Sequence, residues 1–150
     1  MEETIFHKIV KGEVPCHKVW EDENHLAFLS IYPNTEGVTV VIPKKFSPSY
    51  FADCSDEIIT NLLIAAKKVA KILDLKLEDV GRTALVFEGF GVDYLHIKLF
   101  PMHGTILKEW KPIESNVNNY FDKYPGYIIS NDSKRESDEV LSKLAKKLRD

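Results

Sequence analysis

GVDYLHIKLFPMHG, residues 91–104, is the stretch on which the reading of this chain turns. From Tyr94 to Phe100 it alternates without a break, and in a β-strand successive side chains point to opposite faces. The pattern therefore predicts a strand with Leu95, Ile97 and Leu99 turned to a core, and Tyr94, His96, Lys98 and Phe100 on the other face. That second face is either a solvated strand surface or a reaction surface. An unshifted imidazole is substantially neutral at neutral pH, so His96 is available as a nucleophile or base. Lys98, two residues along, shares its face, holds the ring's pKa down by its charge and is near enough to share an anionic ligand. The turn ahead of the strand, Gly89-Phe90-Gly91, can bring backbone N–H groups to an anion, although a lone Gly-x-Gly is most often a plain tight turn. His103, in a Pro-Met-His-Gly turn past the strand, is either a further proton donor or an exposed loop histidine.

Working outward, three strand-like runs precede this segment. HKVWED (17–22) alternates, HLAFLSI (25–31) is largely apolar and VTVVIP (38–43) is β-branched, with Asp22, Asn24, Pro33, Asn34 and Gly37 as turn residues between them. RTALVFE (82–88) is a fourth strand, and the opening segment supplies the fifth. Short turns favour an antiparallel meander over βαβ units. Thr4 caps a short helix carrying Phe6, Ile9 and Val10, which Gly12 and Pro15 end. Ser55, followed by Asp56 and Glu57, starts a long helix whose Ile58, Ile59, Leu62, Ala66, Val69 and Leu73 recur at helical spacing. Its apolar stripe is expected to cover one face of the sheet. The fold class is thus α+β, an antiparallel sheet with one long helix on a face. Residues 113–150 have a different texture, with a loop, a short YIIS strand and an amphipathic helix from Ser137. They are too short to bury a core of their own. They are read as an extension packed on the domain formed by residues 1–112.

With 150 residues the chain fits one domain, and 44% hydrophobic with 29% charged residues is the make-up of an ordinary globule. A net charge of −3 argues against a broad nucleic-acid surface. No run is long and apolar enough for a signal peptide or a membrane span, so no membrane association is expected. Cys16 and Cys54 form no CxxC, and two thiols without a framework suit a reducing cytoplasm.

Three ordered pieces, TIFHKIVKGEVP, VWEDENHLAFLSIYPNTEGVTVVIPKKF and YLHIKLFP, together resemble the histidine triad (HIT) family of nucleotide-binding phosphohydrolases and transferases. The resemblance runs from about Thr4 to Met102. It implies the HIT fold, a homodimer, no cofactor, and a purine nucleotide or related phosphate ester as partner. The family's middle histidine attacks the α-phosphorus to form a nucleotidyl-histidine that water cleaves, an instance of covalent catalysis. His96 matches it. Phe6, Ile9, Val14, Phe28 and Ile31 match positions that sandwich the base, with plain core as the alternative for each. Ser30, Gly89, Gly91 and Tyr94 complete the implied nucleotide site.

The chain also departs from the family pattern. Tyr94 and Lys98 replace the first and third histidines of the triad, Phe46 replaces a further histidine, Ser30 a ribose-binding acid and Phe87 an asparagine. The loop before Tyr94 is short. Where some members bind structural zinc, this chain has Thr4, His7 and Phe46, so no metal is expected. Catalysis is accordingly assigned to His96, with Lys98 neutralising phosphate charge and His103 recovering part of the lost proton transfer. The result would be a slow hydrolase or nucleotidyl transferase. A non-catalytic nucleotide binder and a dimeric interaction module with a vestigial pocket are the competing readings.

Overall fold

The computed structural model describes residues 2–128 and 135–140. By internal contacts the chain divides into two compact units, residues 1–110 and 111–150. The first contains α1 (Ile5–Val10), β1 (Lys18–Glu21), β2 (His25–Leu29), β3 (Thr39–Pro43), a 3₁₀ turn (Phe51–Asp53), α2 (Asp56–Lys76), β4 (Val80–Val86) and β5 (Ile97–His103). The five strands form one sheet in the order β1-β2-β3-β5-β4, and every neighbouring pair is antiparallel. The α+β class and the helix-covered antiparallel sheet are as the periodicity predicts. The meander is not. After β3 the chain crosses the sheet through α2 and lays down β4 at the edge. It then returns to insert β5 between β3 and β4.

Each element follows from local chemistry. Ser55 caps α2, its hydroxyl accepting the N–H of Ile58, and Asp56 and Glu57 lie against the positive end of the helix dipole. The helix buries Leu62, Ala65, Ala66, Val69 and Leu73, which pack with Ala27, Val41, Leu95, Ile97 and Leu99 from one face of the sheet. The opposite face carries Leu26, Phe28, Val40 and Ile42, closed over by Phe6 of α1 together with Tyr94. The two faces explain why the β2 and β3 runs are apolar rather than alternating. Leu26 and Phe28 serve one core while Ala27 serves the other, as a strand covered on both sides requires.

The fifth strand corrects the sequence reading in two respects. Pairing begins at Ile97 with β3 and at Lys98 with β4, not at Tyr94, and the Leu95 N–H goes to the Ser47 carbonyl outside the sheet (2.8 Å). Pro101 to His103 continue the strand instead of forming a turn, and the turn falls at Gly104, where φ is +79°. β3 pairs with β5 only as far as Leu99, so Pro101 sits where β5 has a partner on one side alone. A residue lacking an N–H is tolerated at such a position.

In the second unit, Phe121 and Tyr127 meet edge to face at 5.9 Å. Residues 138–140 are helical, as expected there. The rest of the C-terminal helix and Ile129 and Ser130 of the YIIS run lie outside the described residues, and Tyr127 and Ile128 are not in a strand. No helix among the described residues is long and apolar enough to cross a membrane.

Candidate functional site

His96 lies at the entrance to β5 and is 4% exposed. Its face of the sheet is not wet. The short helix α1 covers it, and the Phe6 ring meets the imidazole edge to face at 5.3 Å. His96 Nδ1 lies 2.7 Å from the Tyr94 carbonyl oxygen. A carbonyl only accepts, so Nδ1 carries the proton and donates it, and Nε2 is left with its lone pair. Nε2 has no protein partner among the described residues, and no buried side-chain nitrogen or oxygen among them lacks a hydrogen bond. Nε2 therefore keeps access to the cleft that His96 lines. Burial is the main cause holding the imidazole below its ordinary pKa, and the Lys98 charge adds to it. The bond to Tyr94 and the charge of Glu88 oppose the shift. The ring is neutral at neutral pH, as expected from the sequence, but by desolvation first and by Lys98 second.

The cleft measures about 350 Å³. It brings together most of the sequence-predicted site: Phe6, Ile9, Val14, Phe28, Ser30 and Ile31 line it together with Gly91, His96 and Lys98. Phe6 and Phe28 are buried and stand edge to face at 5.6 Å, so they form a fixed wall rather than a mobile rim. Ile31 is 68% exposed and stands at the mouth. The Ser30 hydroxyl accepts the Tyr32 N–H at 3.2 Å, which pins the chain after β2. Lys98 is half-buried in mid-strand, registered with Val40 of β3 and Val86 of β4, and joins no ion pair among the described residues.

Three residues assigned to the site from sequence lie elsewhere. Tyr94 is 1% exposed and does not line the cleft. Its hydroxyl bonds to the carbonyls of Pro43 (2.7 Å) and Lys44 (3.1 Å), and burial pushes its pKa up to about 12. It anchors an aromatic plug behind the cleft with Phe46 and His7, whose rings stack at 4.8 Å. Gly89 does not line the cleft either. Its φ is +67°, and a Cβ there would come within 2.7 Å of the Ser49 carbonyl oxygen, so it serves a tight backbone crossing. His103 lies at the far end of β5, seven residues and roughly 23 Å along the strand from His96. Its Nδ1 is 2.6 Å from Asp79 Oδ1 and its Nε2 is 2.8 Å from the Glu36 carbonyl, and it does not line the cleft.

The structure adds members that the sequence reading passed over, among them Cys16, His17 and Tyr32. They come from the approach to β1 and the exit from β2, and no periodicity marks residues that meet only through strand pairing. Burial holds the Cys16 thiol above its ordinary pKa and favours its protonated form. Among the described residues no cluster of three or more histidines, cysteines or carboxylates is placed to hold a metal ion. His7 Nδ1, at the position matching a zinc ligand in some family members, instead accepts the Thr4 N–H at 3.1 Å and caps α1.

A family model described as HIT domain matches residues 11–104. Protein hit of Bacillus subtilis is 35% identical over 107 residues, spanning 69% of this chain and 73% of that protein. Adenosine 5'-monophosphoramidase hnt1 of Schizosaccharomyces pombe is 39% identical over 101 residues, 65% of this chain and 72% of its own. Among solved structures, SMU.412c from Streptococcus mutans has a TM-score of 0.71 at 26% identity, covering 99% of this chain and 85% of its own. A HIT-family member from Bacillus subtilis has a TM-score of 0.65 at 28% identity, covering 99% and 96%. The sheet order, the helix-covered faces and a family match across β1 to β5 agree, and the chain belongs to the HIT family.

Proposed function

We propose that this chain is a nucleotide phosphohydrolase or nucleotidyl transferase acting at the α-phosphate of a purine nucleotide ester or phosphoramidate. The observation that carries the reading is the orientation of His96. Its Nδ1–H is held by the Tyr94 carbonyl, and its Nε2 lone pair is left to the cleft. Nε2 attacks the α-phosphorus, the bond to the leaving group breaks, and the leaving group departs with the electron pair. Water then cleaves the phosphorus–nitrogen bond and restores the neutral ring. Phe6 and Phe28 hold the base, and the Lys98 ammonium offsets phosphate charge. Relatives named adenosine 5'-monophosphoramidase support the substrate class. Tyr94 is committed to two backbone carbonyls and His103 is remote, so neither supplies a proton to the leaving group. Loss of such a donor typically costs about 10²–10⁴ in rate, and the enzyme is slow. A homodimer is part of the same reading.

The test is a single-turnover incubation with an α-³²P-labelled adenylate phosphoramidate, followed by mapping of the label. The expected result is acid-labile label on His96, absent in His96→Asn with the thermal melt measured alongside. Absence of label and of turnover in the wild-type chain would remove the catalytic reading. The commitment of the Tyr94 hydroxyl favours one alternative, a nucleotide binder without turnover, and AMP binding without label selects it. The cleft is open and Tyr94 lies behind it, so no observation carries a blocked, vestigial pocket.

A further inference from the structure

The side chains in the cleft that can hydrogen-bond are few, and none is a carboxylate or an amide. None of the residues lining it is Asp, Glu, Asn or Gln. Its polar side chains are Lys98, which only donates, His96 and His17, which have single ring acceptors, the Cys16 thiol, and the hydroxyls of Ser30 and Tyr32. The Ser30 oxygen already accepts the Tyr32 N–H, and the Tyr32 side chain stands out in solvent at 89% exposure. A vicinal diol is recognised by two acceptors at a fixed spacing, the geometry that a carboxylate provides and a single engaged hydroxyl does not. The cleft is therefore built to hold a flat apolar body on Phe6 and Phe28 and an anion near His96 and Lys98. It has no paired acceptor for the sugar between them.

We infer that this cleft does not read the 2'-hydroxyl, so that its substrate class takes in 5'-phosphate derivatives of ribonucleosides and 2'-deoxyribonucleosides alike. The inference rests on the nucleotide reading above and narrows how that site selects. A site built to hydrogen-bond a substrate hydroxyl rejects the analogue lacking it by about 10⁴–10⁵, whereas one lined by apolar groups discriminates by about 10² at most. Selectivity in this chain is left to the base-sized slot and to the phosphate.

The experiment is calorimetric titration of the full chain with AMP and with dAMP at one salt concentration. Dissociation constants within about tenfold of each other are expected, because no net hydrogen bond to the 2'-hydroxyl is gained or lost. A larger preference for AMP would overturn the inference and leave the nucleotide reading standing. Failure of both nucleotides to bind would remove that reading and the inference with it. Ser30→Ala separates the remaining source of sugar readout. It is expected to move the two affinities together, and a loss confined to AMP would assign the hydroxyl to the sugar and overturn the inference.

Discussion

Lys98 stands in mid-strand between Val40 and Val86, and no carboxylate among the described residues pairs with its ammonium. A cation without an ion-pair partner among the described residues, lining the same cleft as a neutral imidazole, is suited to an anion. A hydrogen bond to a charged partner is worth about 1.5–3 kcal/mol. Lys98→Met keeps the length of the side chain and removes the charge, so it is expected to weaken AMP binding by about ten- to a hundred-fold. Adenosine, which has no phosphate, is expected to bind nearly as before. Calorimetry with both ligands checks this, and equal losses would indicate a general defect of the cleft instead. That His96 and Lys98 share a face was legible at this scale because strand alternation is a local property. The role of Tyr94 was not. Its hydroxyl is used up by Pro43 and Lys44, residues fifty positions away, and nothing in the alternation distinguishes a tyrosine facing a ligand from one facing two carbonyls.

Among the elements, α1 has six residues, well short of a length that is stable alone in water. It is held by Phe6, which reaches Phe28, Tyr94 and His96 with ring centroids 5.3–5.9 Å apart, and by the Thr4–His7 cap. This helix turns the second face of the sheet from a wet surface into a walled cleft. Its existence was legible from Thr4, Gly12 and Pro15, but its position was not, since the sequence indicates which side of a helix is apolar and not which sheet face it meets. The loop ahead of β5 shows the same division. From sequence Gly89 fits either a backbone turned to an anion or a plain tight turn, and the structure uses it to let the chain pass the Ser49 carbonyl. Gly89→Ala brings a side chain into a left-handed backbone and against that oxygen, and is expected to cost roughly 1–3 kcal/mol. A lowered melting temperature with AMP affinity little changed in the folded protein checks the assignment. An unchanged melt would contradict it.

Over the whole molecule, the end of the sheet away from the cleft is closed by His103, which joins the end of β5 to Asp79 ahead of β4 and to the Glu36 carbonyl ahead of β3. Both partners are acceptors, so both ring nitrogens donate and the bound ring is the imidazolium. Its pKa is raised by the Glu36 carbonyl first and by the Asp79 carboxylate second, while His103 holds the Asp79 carboxyl below its ordinary range. A raised histidine pKa stabilises the fold fully below its unfolded value near 6.5, and the contribution fades as pH climbs through the folded value. A lowered aspartate pKa stabilises above its unfolded value near 3.8 and fades as pH falls through the folded value. The pair thus contributes most at about pH 4–6. His103→Gln is expected to lower the melting temperature in that window and to close the gap with the wild type as pH rises well above the ordinary histidine range. A gap independent of pH would show that charge is not its source. Taken by itself, the sequence determined the elements, the two-sided alternation of the segment around His96, and the neutral imidazole with a cation on its face, because these depend on residues within a few positions of one another. The tertiary structure decided that this face is buried under α1, that burial more than Lys98 keeps the ring neutral, that β5 slides in beside β3, and that His103 ends far from His96. Those outcomes depend on which distant segments pack together, and packing between elements is set by the summed burial of both cores, not by any one stretch of chain.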